Sequence, residues 1–302
     1  HDALPICGRV DYVMVNGCGE IVSSLKSMPG AQLTQCEPVL DDGAITWVKY
    51  SNEKKEVIRL TDFSCNGSYD LEDKTVLAEN VWDGSADISW YQDGQNEFTI
   101  TAPEQLAGLA QLVNEGNTFE GKKILLGENL FFNDNSAFSN TWTPIASVSS
   151  GVSFEGVFDG QGHVLYNLYG RDGEEGGLFG TIGENGIVKA VTVSQGKIEG
   201  AALAYRNDGW ILFCKNSSLI YSNGGMDRIA GVCCENKGML YGCANEGFIE
   251  GYCDTAGIVG LNEKDASVDS CWNSGYVTGC GFASAGIVSM NGGWVYDCYN
   301  SG

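Results

Sequence analysis

Short apolar runs separated by glycine and asparagine recur at a nearly constant interval in the second half of the sequence. One unit, made of residues 268–273, 276–278 and 286–289, has the pattern of three short strands joined by turns. A small residue followed by an aliphatic one marks each unit, at intervals of 25 to 29 residues: Gly177-Leu178, Ala202-Leu203, Gly231-Val232, Gly257-Ile258 and Gly286-Ile287. Self-similarity at this period predicts a solenoid.

Two further columns follow the same period. One holds Cys214, Cys243, Cys271 and Cys298, and the other holds Asn216, Asn245, Asn273 and Asn300. The leucine-dense signature of leucine-rich repeats is absent, and helical repeats are longer and poorer in glycine. The pattern therefore predicts an all-β parallel β-helix whose coils stack about 4.8 Å apart.

Each column acquires a physical meaning in such a stack. Asparagine at equivalent turns can form a side-chain amide ladder, and it tolerates the left-handed backbone conformation that turns need. Stacked cysteines lie within disulfide range, but the directions of their Cβ atoms in parallel neighbours favour a reduced, buried stack. In the vicinal pair Cys233-Cys234 the side chains should point to opposite faces, which argues against a redox pair.

The first part of the chain has a different pattern. Residues 1–78 form a small β-rich module with predicted strands at 46–50 and 56–60, and residues 79–98 are predicted to be a linker. Within residues 99–122, Thr101 is the predicted N-cap of an amphipathic helix that ends at Gly116. We expect this helix to cap the β-helix of residues 123–302; an ordinary helix packed on the first module is the alternative.

Composition narrows the class of protein. The chain contains 42 glycines, and its formal net charge is −22, which argues against nucleic-acid binding and against binding to an anionic membrane surface. The sequence contains no stretch of 18 apolar residues, the length that a membrane-spanning helix needs. Among twelve cysteines no C-x₂-C pair occurs, and there are only two histidines, so we predict neither a structural metal nor a cofactor. Cys7, Cys18, Cys36 and Cys65 could form two disulfides.

The string Asp159-Gly160-Gln161-Gly162-His163 is the most suggestive candidate for chemistry. An acid near a histidine can perform acid–base catalysis, but two glycines with an aspartate are also typical of a tight turn, and we favour the turn. A carbohydrate-active enzyme would need paired carboxylates, for which the candidates are Asp254, Asp265, Asp269 and Asp297. Aromatic side chains could stack on sugars or pack inside the protein: Trp82, Trp90, Tyr91, Trp272 and Trp294.

Residues 80–302 resemble the GLUG-repeat family of bacterial surface proteins. The resemblance rests on the string at residues 154–163, on Leu168-Tyr169-Gly170 and on residues 176–180; its motif positions are Phe158, Asp159, Gly160, Gly162, His163, Gly177, Leu178, Phe179 and Gly180. It implies a right-handed parallel β-helix on the surface of a Gram-positive gut bacterium. Related repeats occur in adhesins and in the non-catalytic part of streptococcal peptidases that cleave immunoglobulin A.

We therefore expect a non-catalytic, secreted or surface-exposed, adhesin-like protein. Its β-helix would serve as a stalk and as a binding face for a host glycan or host protein, and the chain would be a monomer. The alternatives are a β-helix glycoside hydrolase or polysaccharide lyase, and a structural spacer of a larger peptidase. Because residues 298–302 repeat an earlier unit and then stop, we expect the sequence to be a fragment cut within the solenoid.

Overall fold

A computed structural model describes residues 81–133, 138–170, 177–222, 228–252, 254–279 and 283–302, together with the backbone of six strands before residue 81. The chain divides into two compact units, His1–Val81 and Trp82–Gly302. The four N-terminal cysteines, with Cys253 and Cys280, lie outside the described residues, and so does the predicted pair of N-terminal disulfides.

The first unit contains two antiparallel sheets. Strands β1 (Asp11–Tyr12) and β2 (Lys26–Ser27) form one pair. The other sheet is a meander of four strands in chain order: β3 (Val39–Asp41), β4 (Ala44–Ser51), β5 (Lys54–Leu60) and β6 (Leu71–Lys74). The strands predicted at residues 46–50 and 56–60 lie within β4 and β5.

Among its described residues, the second unit contains one α-helix, α1 (Pro103–Asn114), a single 3₁₀ turn (Val148–Ser150) and a series of short strands. In chain order these strands are β7 Glu97–Ile100, β8 Lys123–Leu126, β9 Leu130–Phe131, β10 Val157–Asp159, β11 Val164–Tyr166, β12 Phe179–Ile182, β13 Ile187–Lys189, β14 Thr192–Glu199, β15 Ala204–Asn207, β16 Trp210–Leu212, β17 Lys215–Tyr221, β18 Arg228–Ala230, β19 Cys233–Asn236, β20 Met239–Tyr241, β21 Ala244–Asn245, β22 Ile249–Gly251, β23 Asp254–Ala256, β24 Val259–Asn262, β25 Ser267–Asp269, β26 Trp272–Asn273, β27 Val277–Gly279, β28 Ser284–Ala285, β29 Val288–Asn291, β30 Trp294–Tyr296 and β31 Tyr299–Asn300.

These strands wind into a parallel β-solenoid, which confirms the predicted all-β fold. The first face is an eight-stranded parallel sheet in the order β7, β8, β10, β13, β16, β20, β25, β30. The second face is a nine-stranded sheet that runs from β9 through β11, β14, β17, β21 and β26 to β31, with β22 and β27 extending it from β17. The third face holds β12, β15, β19, β24 and β29, and a shorter sheet holds β18, β23 and β28.

The core is a stack of identical positions from successive coils. On the first face, the middle residue of each three-residue strand points inward and pairs with its equivalent in the next coil, as in Phe158, Val188 and Ile211. These side chains are fully buried, whereas the residues on either side of them point outward and are half-buried or exposed. In-register pairing therefore stacks apolar side chains along the whole solenoid, and their burial supplies the main stabilising term.

Helix α1 lies in the first coil, between β7 and β8, and buries Leu106, Leu109 and Val113 completely. Its N-cap is Ala102 rather than the predicted Thr101, and no side chain caps it there. Instead, the side chain of Gln105 accepts a hydrogen bond from the Thr101 backbone N–H at 2.9 Å. The prediction failed because Pro103 occupies the first helical position, which moves the helix start one residue along the chain.

Residues 82–98 differ from the predicted linker. Trp82 is 5 % exposed and contacts Phe132 and Trp142 edge-on, with ring centroids 5.7 and 5.9 Å apart. Trp90 packs edge-on against Phe98 at 5.3 Å. This segment therefore packs into the second unit, because its aromatic side chains complete the core beside α1.

No helix in the described ranges is long and apolar enough to cross a membrane.

The asparagine column forms a continuous amide ladder. Each side-chain Nδ2 donates to the Oδ1 of the next asparagine, at 2.7 Å from Asn216 to Asn245, 2.6 Å to Asn273 and 2.6 Å to Asn300. The ladder lies at strand positions and is buried in its first three members, not in turns as predicted. The left-handed backbone occurs three residues earlier instead, at Phe213, Gly242, Ser270 and Asp297.

The structure contains a second asparagine ladder, which the sequence analysis did not predict. Asn207, Asn236, Asn262 and Asn291 stack at the end of the third face, with Nδ2 to Oδ1 distances of 2.8, 2.9 and 2.8 Å. Each of these residues lies four positions after the aliphatic residue of its unit, so the same alignment contained the signal. The two ladders link successive coils by hydrogen bonds at two different positions, one on the second face and one at the end of the third face.

Glycine begins four of the five units, because neighbouring coils approach closely there. A Cβ at Gly257 would overlap the backbone oxygen of Gly286 and the side chain of Asn273. A Cβ at Gly231 would overlap the oxygen of Gly257 and the side chain of Asn245. The glycine column therefore lets neighbouring coils approach where the asparagine ladder passes beneath them.

We predict that Asn245→Ala lowers the free energy of unfolding by about 3 kcal/mol, because it breaks the ladder on both sides and removes one partner from the buried Nδ2 of Asn216 and one from the buried Oδ1 of Asn273. Asn300→Ala removes two hydrogen bonds at an exposed position and should cost less than about 1 kcal/mol. Urea denaturation followed by circular dichroism measures both. Equal losses in the two variants would contradict the assigned role of the ladder.

Gly257→Ala should prevent the coils from closing, giving insoluble protein or a strongly lowered thermal midpoint. Gly292→Ala is the matched control, because its nearest heavy atom would lie 3.4 Å from the new Cβ and its backbone conformation is ordinary. We expect the control to melt within a few degrees of the wild type. Normal folding of Gly257→Ala would show that the coils can separate there.

Candidate functional site

The outer surface of the first face carries a patch of exposed apolar side chains on two consecutive coils. Trp210 and Met239 are register partners in one outward column, and Leu212 and Tyr241 are partners in the next. Trp210, Phe213 and Tyr241 are 46, 61 and 37 % exposed. We call the set Trp210, Leu212, Phe213, Met239 and Tyr241 the aromatic patch. Trp294 and Tyr296 lie further along the same two columns.

The local backbone fixes the two aromatic rings at the corner of this patch. Phe213 has a φ of 54°, which turns the chain after β16, and its ring meets Tyr241 edge-on at 5.3 Å. A Cβ at Gly242 would overlap the Phe213 ring, so the absence of a side chain at Gly242 makes room for it. Rings held in this way present area to a ligand at little entropic cost.

The other end of the first face is charged and contains the motif residue Asp159. Its Oδ2 lies 3.1 Å from Lys189 Nζ and 3.9 Å from Lys123 Nζ, while its Oδ1 accepts the Gln161 backbone N–H at 3.1 Å. The side chain of His163 lies beside Asn129, with Nδ1 3.4 Å from Oδ1. Asp159 and His163 thus have separate partners, and this arrangement supports a turn rather than acid–base catalysis.

The remaining motif residues build the fold. Phe158, Leu178 and Phe179 are fully buried, and Phe158 packs edge-on against Phe179 at 5.5 Å. Gly160, Gly177 and Gly180 each lie against backbone of a neighbouring coil that a Cβ would overlap, and Gly162 has a φ of 82°. The motif therefore specifies a coil corner and its packing.

The described cysteines are free thiols within the core. Cys214, Cys243 and Cys271 are buried and Cys298 is half-buried, and vicinal Cys233 and Cys234 are both fully buried. The Cys243 N–H points at Cys271 Sγ, 3.3 Å away, and the Cys271 N–H points at Cys298 Sγ, 3.4 Å away. Burial raises the pKa of Cys214 to about 12. The hydrogen bond with Cys243 is the largest cause of the raised pKa of Cys271, and Cys214 and Cys271 therefore stay protonated at neutral pH.

The carboxylates considered for sugar hydrolysis lie on four different segments, and Asp269 pairs in register with Tyr296, which precedes Asp297. Asp254 begins β23 and accepts the Ala283 N–H at 2.9 Å, whereas Asp265 lies in the turn before β25. Asp269 lies on the first face, and Asp297 turns the chain after β30. In the described part of the chain, no group of three or more His, Cys, Asp or Glu is placed to hold a metal ion.

Of the aromatic residues considered for sugar stacking, Trp82, Trp90 and Tyr91 pack into the core beside α1. Trp272 stacks on Tyr299 of the next coil, with centroids 6.2 Å apart. Sequence reasoning missed Trp210, Phe213 and Tyr241 because their exposure depends on which way each short strand faces.

A cavity of about 390 Å³ also lies between α1 and the Trp82 and Trp142 side chains.

A polar groove lies on the third face, around the corner from the aromatic patch. Its volume is about 310 Å³, and we call it the corner groove; its lining residues are Val148, Gly151, Val152, Ser153, Thr181, Tyr205, Arg206, Asp208 and Glu235. Arg206 and Glu235 are register partners on β15 and β19. Because β15 and β16 are separated only by Asp208 and Gly209, the groove and Trp210 belong to the same coil.

The solenoid is similar to a crystal structure from Bacteroides ovatus of a putative immunoglobulin A1 protease. The TM-score is 0.55 and the sequence identity is 14 %, over 69 % of this chain and 76 % of the other. At this identity the similarity shows the fold alone. No family model matches the chain, and no curated protein matches it. The shared β-solenoid is consistent with the resemblance to GLUG repeats.

We predict that iodoacetamide at pH 8 leaves Cys214, Cys233 and Cys271 unlabelled in the native protein, because burial and hydrogen bonding keep these thiols protonated. The same peptides should be fully labelled after denaturation in urea. Peptide mass mapping distinguishes the sites and also detects any disulfide. Rapid native labelling of Cys214 would show that the core opens at this coil.

Proposed function

We propose that this chain is a non-catalytic, GLUG-type binding module that recognises glycans through the aromatic patch of its first face. The observation that carries the proposal is the exposure of Trp210, Phe213 and Tyr241 on adjacent coils of one rigid sheet. Leaving three large apolar side chains together in water is unfavourable, so their clustering indicates a surface that a ligand covers.

Glycans fit this surface better than peptides or lipids do. The C–H faces of sugar rings pack on aromatic rings, and the outward columns place Trp210 and Tyr241, and further along Trp294 and Tyr296, in one direction, which suits a chain of sugar units. A net charge of −22 disfavours anionic lipid. Since the rings are held by a parallel sheet rather than by loops, binding needs little reorganisation of the site.

The setting we propose is the outside of a bacterium, with the module in an adhesin-like or peptidase-associated protein and acting as a monomer. The fold shared with the Bacteroides ovatus protein supports a peptidase-associated role. In that case the solenoid would hold the glycan of a glycoprotein substrate, and cleavage would belong to another domain. The carbohydrate-active enzyme considered above is the second candidate, because Asp254 already accepts the Ala283 N–H and Asp269 already accepts the Ser270 hydroxyl.

The test is binding of the whole chain to arrays of mammalian mucin-type glycans, followed by calorimetry with any hit. Trp210→Ala and Tyr241→Ala should each weaken binding roughly tenfold or more, because each removes an exposed ring that the ligand would cover. Both variants should keep the wild-type thermal midpoint, since the side chains are exposed.

Phe248→Ala is the matched control, because Phe248 is 41 % exposed but lies next to β22, away from the first face. Its affinity should be unchanged. Wild-type protein that binds no glycan on the array, or aromatic-patch variants that bind as tightly as wild type, would overturn the proposal.

A further inference from the structure

The corner groove contains an arginine held in a fixed orientation. Arg206 Nε donates to both carboxylate oxygens of Asp208, at 3.0 and 3.2 Å. Among the described residues, no hydrogen-bond partner contacts the two terminal amino groups of Arg206, and its side chain is 37 % exposed. The guanidinium therefore offers two fixed donors to the groove.

The charges of the groove are already paired within the protein. Arg206 pairs with Asp208, and Glu235 pairs with Arg228 through an Oε1 to Nη1 distance of 2.6 Å. The Asp208 hydrogen bond and the nearby carboxylates of Asp208, Glu235 and Glu263 raise the pKa of Arg206. An anionic ligand would meet these carboxylates, and a cationic ligand would find both groove carboxylates occupied. The groove thus favours a neutral ligand.

The polar side chains of the groove can bind two adjacent hydroxyls of one ligand. Arg206 donates, Asp208 keeps acceptor lone pairs, Thr181 adds a hydroxyl that can do either, and the Ser153 hydroxyl, which donates to Glu155, can accept. A sugar hydroxyl can accept from the guanidinium while its neighbour donates to the carboxylate. Tyr205, Val148 and Val152 provide less polar walls, and a volume of about 310 Å³ accommodates one or two sugar rings.

Resting on the proposed function, we propose that the corner groove is a subsite for a neutral sugar residue, held by Arg206 and Asp208 through two adjacent hydroxyls. The same glycan continues around the corner onto Trp210 and the rest of the aromatic patch. Only Asn207, Asp208 and Gly209 separate Arg206 in β15 from Trp210 in β16. The patch then supplies apolar contact, while the groove supplies selectivity for a neutral end group.

The experiment measures wild type, Arg206→Lys, Arg206→Ala and Asp208→Asn on arrays that contain matched neutral and sialylated mucin-type glycans, with calorimetry on the strongest neutral hit. Each variant should lose roughly tenfold or more in affinity for the neutral glycan. Arg206→Lys keeps the charge but loses the planar pair of donors, so its loss tests geometry rather than charge.

Lys215→Ala is the matched control. Lys215 forms a similarly exposed ion pair with Glu246 at 3.0 Å, but it lies on the second face. Its affinity should equal that of wild type, and circular dichroism and thermal midpoints verify folding for all variants, since exposed pairs contribute little stability.

Three outcomes overturn the subsite. If the Arg206 and Asp208 variants bind like wild type while Trp210→Ala does not, the subsite is refuted and the proposed glycan-binding function stands. If wild type prefers sialylated over neutral glycans and Arg206→Ala removes that preference, the groove is an anion site instead. If wild type binds no glycan, the subsite and the proposed function both fail.

Discussion

Stacking of equivalent residues at the spacing of parallel strands is the constraint on which the rest of this solenoid depends. Each inward position faces its own equivalent above and below, so a column must be compatible with itself. Aliphatic side chains satisfy this by packing, and asparagine satisfies it because its amide is both donor and acceptor. Glycine satisfies it where two coils approach too closely for a Cβ. This requirement is the reason why the sequence repeats from coil to coil.

The same constraint governs the cysteines. A thiol is small, apolar and able to accept a neighbour's backbone N–H, so it fills a narrow column without breaking register. Burial raises the pKa of Cys214, and the hydrogen bond with Cys243, followed by burial, raises the pKa of Cys271, which keeps these thiols uncharged inside the stack. Their role is therefore in packing. In the coil before Cys214, the equivalent position is occupied by Val191, another buried apolar residue, so the cysteine column starts at Cys214.

Positions that point outward are free of this constraint, and the candidate site is built from them. In the outward columns, Met239 and Tyr241 are followed in the next coil by Ser267 and Asp269, so neighbouring residues there need not match. The rigid sheet beneath them holds whatever side chain occurs there at a fixed spacing. Arg206 illustrates the same principle on the third face, where Asp208 orients it at a corner. A solenoid can thus acquire a binding surface without altering its core.

The sequence alone determined the solenoid, its period and the glycine, cysteine and asparagine columns, because stacking makes them periodic. It also contained the second ladder from Asn207 to Asn291, which an alignment of every polar position would have found. Only the tertiary structure decided that Ala102 caps α1, that the ladder asparagines lie in buried strands, and that residues 82–98 complete the core. It alone decided the candidate site, because two- and three-residue strands give too little periodicity to show which side chains face outward, and only the corners bring Arg206 and Trp210 onto adjoining faces.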